Sequence, residues 1–254
     1  MTGKSDPVRA AFHRQYEACE KLGSPFTARL CRLAGQRLHP GGAVADAILG
    51  WQGDASALGD SVPLRLCGAL HALVMAGKSE ALAALYPPHH ADISDEDLWG
   101  AVAAALKEHE AFILDRLTGP PQTNEVRRVG ATLPMFLEVT RQTGLPLVLS
   151  EVGASAGLNL HPDHYHVDLG GLSRGPESSK VHLAPKWPGR AAPDVPLSIA
   201  GRAGCDLLPI DPGNPADRDR MLSFIWADQA DRLSRTRAAL DIAAASDVRV
   251  EKAD

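Results

Sequence analysis

The chain has 254 residues, of which 44% are apolar and 22% charged, and its formal net charge is −5. This apolar content excludes an intrinsically disordered chain, and the absence of a glycine triplet repeat excludes a collagen-like one. The negative balance argues against a protein whose main partner is nucleic acid or an anionic membrane.

The sequence contains no segment typical of a signal peptide or a membrane span. Its first residues lack the apolar stretch of a secretory signal, and no run approaches the roughly 18 apolar residues of a spanning helix. The four cysteines lie far apart without a CxxC pair, which favours reduced thiols over a disulfide framework or a zinc site. The sequence therefore predicts a cytoplasmic protein.

Helical periodicity runs through residues 1–143. Apolar side chains recur at three-to-four spacing along several segments, which glycine and proline separate. Ser94 and Asp97 resemble a capping box at the start of one long helix that reaches Leu117. Asn124 is a candidate cap for a further helix. We therefore predict a helical N-terminal domain over residues 1–143.

Strand patterns appear in the second part of the chain. Leu145–Leu149 is an apolar run typical of a strand buried on both faces. Cys205–Ile210 and Val248–Glu251 predict a second and a third strand, with helical patterns between the strands. This alternation indicates an α/β domain over residues 144–254 that is built on a parallel, doubly wound sheet.

Residues 161–204 interrupt this alternation with many prolines and glycines. They predict an inserted loop in which Tyr165–Leu169 pairs with Val181–Leu183 as a hairpin. The insertion holds several histidines but no clear third ligand at an established spacing, so we predict no metal site.

The segment Glu151-Val-Gly-Ala-Ser-Ala-Gly157 follows the first predicted strand and is expected to open a helix. An acidic residue followed by Gly153 and Gly157 is typical of the nucleotide loop of Rossmann-like methyltransferases, because glycine lets the backbone turn tightly and approach a ligand. The Glu151 carboxylate can bind the ammonium group of S-adenosylmethionine. We expect this cofactor to contact Glu151, Gly153, Ala154, Ser155 and Gly157.

Two aspartates further along the chain fit the same interpretation. Asp211, at the end of the predicted second strand, is expected to bind the ribose hydroxyls. Asp254, at the end of the third strand, stands where such folds often place an adenine contact. Catalysis would consist mainly of positioning a methyl acceptor in line with the methyl group, with Glu125 or Tyr165 handling a proton.

Polar residues near the predicted strand ends are candidates for substrate contacts. Gln122 and Asn124 lie in a loop expected to cover the carboxyl ends of the strands, although Asn124 is equally suited to a helix cap. Asn159 and Asp163 follow the glycine motif closely and are expected to face the substrate.

Other interpretations of the glycine motif remain open. Ser155 replaces the middle glycine of a dinucleotide fingerprint, which disfavours that site. Gly153–Gly157 also matches the Gly-x-Ser-x-Gly elbow of a serine hydrolase, but no histidine follows Asp206 or Asp211 as the hydrolase order requires. The glycines could also serve only close packing, in a non-catalytic interaction module.

Charged residues beyond the second strand are typical of helix surfaces and do not form a nucleic-acid-binding stripe. Arg232, Arg235 and Arg237 are predicted to form a solvated helix face, and Asp228 and Gln229 a solvated or interdomain face.

Several segments together resemble a known bacterial family. They are Phe12–Gln15, Leu22–Pro25, Pro63–Leu66, Gly68–His71, Pro121–Val126, Glu151–Leu160, Gly204–Pro212 and Leu222–Gln229. The family is that of domain of unknown function 2332, and the resemblance covers nearly the whole chain. It implies a helical region fused to a methyltransferase-like Rossmann domain.

Members of this family look longer than the present chain and carry further strands. We therefore expect a sheet that is incomplete at the C-terminus, with the strand at Leu145–Val152 left as an unpaired apolar edge. The predicted function is an S-adenosylmethionine-dependent methyltransferase acting on a small molecule, with no nucleic-acid or membrane partner.

Overall fold

The chain divides by its internal contacts into two compact units in a computed structural model. The model describes residues 6–89, 92–187 and 191–253. The helical unit comprises Met1–Gln122 and Leu222–Ala230. The sheet unit comprises Thr123–Met221 and Asp231–Asp254. The predicted domain boundary after residue 143 stays a prediction.

The helical unit carries the helices of the first part of the chain. They are α1 Pro7–Lys21, α2 Pro25–Arg37, α3 Ala43–Leu49, α4 Val62–Met75, α5 Glu80–Ala83, α6 Asp95–Glu108 and α7 Glu110–Leu117. The serine cap of the predicted capping box is confirmed, because Ser94 Oγ accepts from the Asp97 N–H at 3.0 Å. The Ser94 hydroxyl also donates to Asp97 Oδ2 at 2.7 Å.

The prediction of one helix reaching Leu117 is wrong, because the helix breaks at His109, where φ is −117° and ψ is 31°. Helix α6 packs against α2, α3 and α5, whereas α7 packs mainly against α4. Since each helix faces different neighbours, tertiary packing overrides the continuous apolar stripe of the sequence.

Residues 222–230 belong to the helical unit, where Asp228 contacts the start of α2. Asp228 accepts hydrogen bonds from Ser24 Oγ at 2.5 Å and from the Phe26 N–H at 2.9 Å. Of the two predicted alternatives, a solvated or an interdomain face, the solvated one is wrong for Asp228, because its carboxylate binds a free N–H in the first turn of α2, within the predicted N-terminal domain.

The remaining elements follow Thr123. They are the 3-10 turn η1 Val126–Arg128, α8 Val129–Thr143, β1 Leu147–Val152, the 3-10 turns η2 Leu158–Leu160 and η3 Pro162–His164, β2 His166–Asp168, β3 Ser173–Arg174, β4 His182–Leu183, β5 Ile199–Asp206, α9 Pro215–Ser223, α10 Ala230–Ala244 and β6 Val250–Lys252.

A three-stranded parallel sheet of order β1-β5-β6 organises the sheet unit. Together with the helices before it, this sheet confirms the predicted mixed α/β class. The expected edge position of β1 also holds, since β1 pairs only with β5 among the described residues. Burial on both faces is wrong, because Val148 and Val152 are 69% and 86% exposed on one face.

The second strand was predicted at Cys205–Ile210, but the structure places it earlier, as β5 at Ile199–Asp206. Pairing with β1 runs from Leu147 opposite Ile199 to Val152 opposite Cys205, and the strand ends at Asp206. Residues 207–210 instead bend over the glycine motif, where the Ile210 N–H donates to the Ser155 carbonyl at 3.1 Å. The register with β1, which the sequence pattern does not contain, sets this strand end.

No α-helix follows the glycine motif, contrary to prediction. The chain forms only the short turns η2 and η3, because Pro162 has no N–H to continue a helical ladder and His161 departs from helical geometry at φ −116° and ψ 42°. The predicted pairing of Tyr165–Leu169 with Val181–Leu183 is confirmed, since β2 pairs with β4. The predicted hairpin is wrong, because this pair is parallel and the antiparallel partner of β2 is β3.

Within the described ranges 6–89, 92–187 and 191–253, no helix is both long enough and apolar enough to cross a membrane.

Asp228→Ala is expected to lower the free energy of unfolding by about 1–3 kcal/mol, because it removes two charge-assisted hydrogen bonds at the start of α2. Urea unfolding at pH 7 measures this loss. Asp219→Ala removes an exposed carboxylate on α9 and serves as the control. Equal stability of the two variants would contradict the capping role.

Candidate functional site

The glycine loop, residues 153–157, turns sharply at the carboxyl end of β1. Gly153, Ser155 and Gly157 all have positive φ, at 68°, 54° and 69°. A Cβ on Gly157 would lie 3.1 Å from Val250 Cγ2, so this glycine serves close packing against β6. A Cβ on Gly153 would meet nothing within 4 Å, so the loop leaves open space at that position.

Hydrogen bonds to the end of β5 hold the glycine loop in place. The Ser155 N–H donates to Asp206 Oδ2 at 2.8 Å, and the Ala154 N–H donates to the Cys205 carbonyl at 3.0 Å. Asp206 is therefore the acidic residue at the end of the second strand. Sequence reasoning missed it because the strand was placed too late, although Gly-Cys-Asp already offered an acidic candidate.

Asn124 joins the glycine loop through its side chain rather than capping a helix. Its Nδ2 donates to the Ala154 carbonyl at 2.6 Å, and its Oδ1 accepts from Asn159 Nδ2 at 2.8 Å. Asn159 Nδ2 also lies 3.2 Å from Glu151 Oε1. The structure thus brings together Glu151, Asn124 and Asn159 of the predicted site.

Three buried side-chain oxygens of this region have no hydrogen-bond partner among the described residues. They are Glu151 Oε2, Ser155 Oγ and Asn159 Oδ1, which we call the oxygen cluster. An unpaired buried oxygen costs about 1–3 kcal/mol, so a region with three of them favours a ligand that donates hydrogen bonds.

The charge around the glycine loop is negative. Burial raises the pKa of Glu151, and the nearby Asp206 carboxylate raises it further, while Asn159 and Arg128 act in the opposite direction. Arg128 lies 3.8 Å from Glu151 Oε1 but is itself half exposed. A cationic group beside Glu151 would favour its ionised form.

Glu125 faces a group of arginines rather than the glycine loop. Its Oε1 accepts from the Arg127 N–H at 3.0 Å, and its Oε2 lies 2.9 Å from Arg232 Nε. Arg235 Nη2 lies 3.7 Å from Glu125 Oε1. The predicted solvated face is wrong for Arg232 and Arg235, whose side chains are only 21% and 14% exposed.

Tyr165 and Asp163 have structural partners. Tyr165 is fully buried and its hydroxyl donates to the Leu158 carbonyl at 2.5 Å, and burial raises its pKa strongly. Both Asp163 oxygens accept from Arg202 Nη2 at 2.6 Å, which ties η3 to β5. The proton-transfer roles of Tyr165 and Glu125 and the substrate role of Asp163 stay predictions.

Three further predicted contacts are Asp211, Gln122 and Asp254. Asp211 is exposed, and its Oδ1 accepts from the Gly213 N–H at 2.8 Å in the turn before α9. Gln122 belongs to the helical unit. Asp254 lies outside the described residues. No three potential metal ligands come together in the part of the chain that the structure describes.

The fold and site define a mixed α/β protein with a glycine loop between two parallel strands. The chain matches, over residues 9–254, the family described as "Uncharacterized protein conserved in bacteria (DUF2332)". It belongs to this family. No curated protein and no solved structure matches the chain.

His161→Gln is expected to reduce the acid sensitivity of the protein. His161 is 2% exposed, and burial with the nearby Arg202 charge lowers its pKa from 6.5 to about 4. Between pH 6.5 and about pH 4 the unfolded chain binds a proton that the folded chain does not. The free energy of unfolding therefore decreases by about 3 kcal/mol as the pH is lowered through this range.

Urea unfolding between pH 7 and pH 4 tests this expectation. His161→Gln should lose that part of the pH dependence, whereas His39→Gln, which changes an exposed histidine, should retain it. An unchanged pH dependence in His161→Gln would show that folding does not lower the pKa of His161.

Proposed function

We propose that this protein binds S-adenosylmethionine at the glycine loop and acts as a methyltransferase on a small molecule. The observation that carries the proposal is the oxygen cluster at the carboxyl end of β1, which includes one oxygen of Glu151 and lies near the Asp206 carboxylate. Ligands of parallel α/β sheets bind at this end of the strands.

The donors of S-adenosylmethionine fit the acceptors of this region. The ligand is cationic at its sulfonium and carries an ammonium group with three N–H donors. Glu151 Oε2, Ser155 Oγ and Asn159 Oδ1 are acceptors without partners, and Glu151 adds negative charge. The ammonium group therefore supplies both the hydrogen bonds and the charge that the buried carboxylate lacks.

The strand order supports the same ligand. In β6-β5-β1 the glycine loop ends the first strand and Asp206 ends its neighbour, the position expected of a ribose contact in Rossmann-like sheets. We assign this role to Asp206 in place of Asp211. Its oxygens accept from the Ser155 and Leu208 N–H groups, which hold the carboxylate beside the glycine loop.

When bound, S-adenosylmethionine supplies an activated methyl group. The residues of the chain contribute binding and orientation, since Asn124 fixes both the Ala154 carbonyl and the Asn159 amide. Positioning the methyl acceptor in line accounts for most of the acceleration in such a site.

A serine hydrolase is the second candidate function. Ser155 stands in a Gly-x-Ser-x-Gly segment with a left-handed backbone, as a nucleophile elbow requires. Its Oγ has no basic partner among the described residues, which disfavours an activated nucleophile. Labelling of Ser155 by a fluorophosphonate probe would favour this candidate over the methyltransferase.

Glu151→Gln is expected to weaken S-adenosylmethionine binding about tenfold or more, because it removes the charge that faces the ammonium group. Isothermal titration calorimetry measures the affinity. Glu251→Gln, an equal change of charge at an exposed position of β6, should bind as the wild type does.

The ligand series separates the ammonium contact from the nucleoside contact. S-adenosylhomocysteine retains the ammonium group and should also lose affinity in Glu151→Gln. 5′-Methylthioadenosine lacks that group and should bind both proteins equally. Wild-type affinity for S-adenosylmethionine should fall as pH drops through the raised pKa of Glu151. No binding at millimolar ligand would overturn the proposal.

A further inference from the structure

A second charged region lies next to the glycine loop in the sheet unit. Asn124 contacts the loop, and the following residue, Glu125, meets Arg232 and Arg235 of α10. Arg127 and Arg128 follow in η1, and Arg128 also lies 3.8 Å from Glu151. We call Arg127, Arg232 and Arg235 the arginine cluster.

The arginine cluster has more positive than negative charge. The side chains of Arg232 and Arg235 lie beside the Glu125 carboxylate, and the charges of Arg127 and the exposed Asp231 also act on Arg235. Burial and the neighbouring arginines lower the pKa of Arg235. The Arg235 guanidinium is therefore partly withdrawn from water among neighbouring positive charges, which an anion would offset.

Arg235 also has a hydrogen-bond donor without an acceptor. Its Nε is buried and has no partner among the described residues, and its Nη2 lies 3.7 Å from Glu125, beyond hydrogen-bond range. A guanidinium offers two parallel N–H donors, which match the two oxygens of a carboxylate or phosphate.

We propose that the arginine cluster is a subsite for an anionic group, a carboxylate or a phosphate, and that this group belongs to the methyl acceptor. Arg235 binds the anion through Nε and Nη2, with Arg232 and Arg127 adding charge. The assignment to the methyl acceptor rests on the proposed function, whereas anion binding rests on the cluster alone.

Glu125 restrains this subsite. Its carboxylate occupies the Arg232 side of the cluster and repels an incoming anion, so it tunes the affinity. Asn124 and Glu125 are consecutive, so an anion on the cluster would lie one residue from the side chain that holds the glycine loop. Arg128, which follows Arg127, lies 3.8 Å from Glu151 Oε1, so an acceptor held on the cluster would reach the glycine loop past Arg128.

Titration calorimetry with inorganic phosphate and with succinate tests the subsite at constant ionic strength in chloride buffer. Wild type should bind at least one probe, and which one binds distinguishes phosphate from carboxylate recognition. Arg235→Gln should weaken binding about tenfold or more, and Arg235→Lys should also weaken it because lysine lacks the Nε–H. Arg237→Gln, exposed on the same helix, should bind like wild type.

Glu125→Gln should bind the anion more tightly than wild type does, because a competing negative charge is removed. A purely structural ion pair predicts the opposite pattern, with lower stability in Arg235→Gln and no change in anion affinity. That pattern, or no binding of either probe to wild type, would overturn the subsite.

The outcomes also separate this inference from the proposed function. Binding of S-adenosylmethionine without binding of either anion would overturn the subsite alone. Binding of an anion without S-adenosylmethionine would support the subsite and overturn its assignment to a methyl acceptor.

Discussion

The hydrogen bond from the Ser155 N–H to Asp206 Oδ2 fixes the geometry on which the site depends. It ties the glycine loop to the end of the neighbouring parallel strand, and the Ile210 N–H secures the same turn from the other side. Because the loop is pinned at Ser155, the chain enters the next turn at Gly157 close against Val250. The loop is held by β5 and β6 rather than by the helix that usually follows such a motif.

This arrangement separates two charged regions within a short stretch of chain. Glu151 and Asp206 make the glycine loop negative, whereas Arg232 and Arg235 make the far side of residues 124–125 positive. The consecutive residues Asn124 and Glu125 face these opposite regions through contacts of different kinds. A pair of ligands of opposite charge suits this pattern better than one large neutral ligand.

The sequence predicted correctly those elements that depend on residues close to one another in the chain. The Ser94 capping box and the parallel sheet follow from short-range spacing and from the alternation of helix and strand. The break at His109 and the end of β5 at Asp206 depend on packing partners and strand register, which the sequence does not display. Proline at position 162 was a visible signal against the helix after the loop, but the glycine motif outweighed it.

The site residues likewise comprise some that the sequence indicated and others that only tertiary contacts reveal. Glu151 and Asn159 flank the glycine motif in the sequence, whereas Asn124 joins them only through its hydrogen bonds to Ala154 and Asn159. Arg232 and Arg235 were missed because a charged stripe on a helix is usually solvated, and only the tertiary contact with Glu125 shows otherwise. Charge patterns near a predicted strand end therefore need a partner before they can be interpreted.

The sheet shows which of its faces carries this chemistry. The side chains of Leu149 and Glu151 lie on the covered face, where Leu160 and Val250 approach the backbone of Gly204 closely. Val148 and Val152 alternate to the opposite, exposed face. Because strand side chains alternate, a one-residue slip of β1 would move Glu151 to the exposed face and Val152 to the covered one. The pairing register of β1 with β5 thus determines both the packing of the sheet and the placement of the carboxylate that the proposed ligand needs.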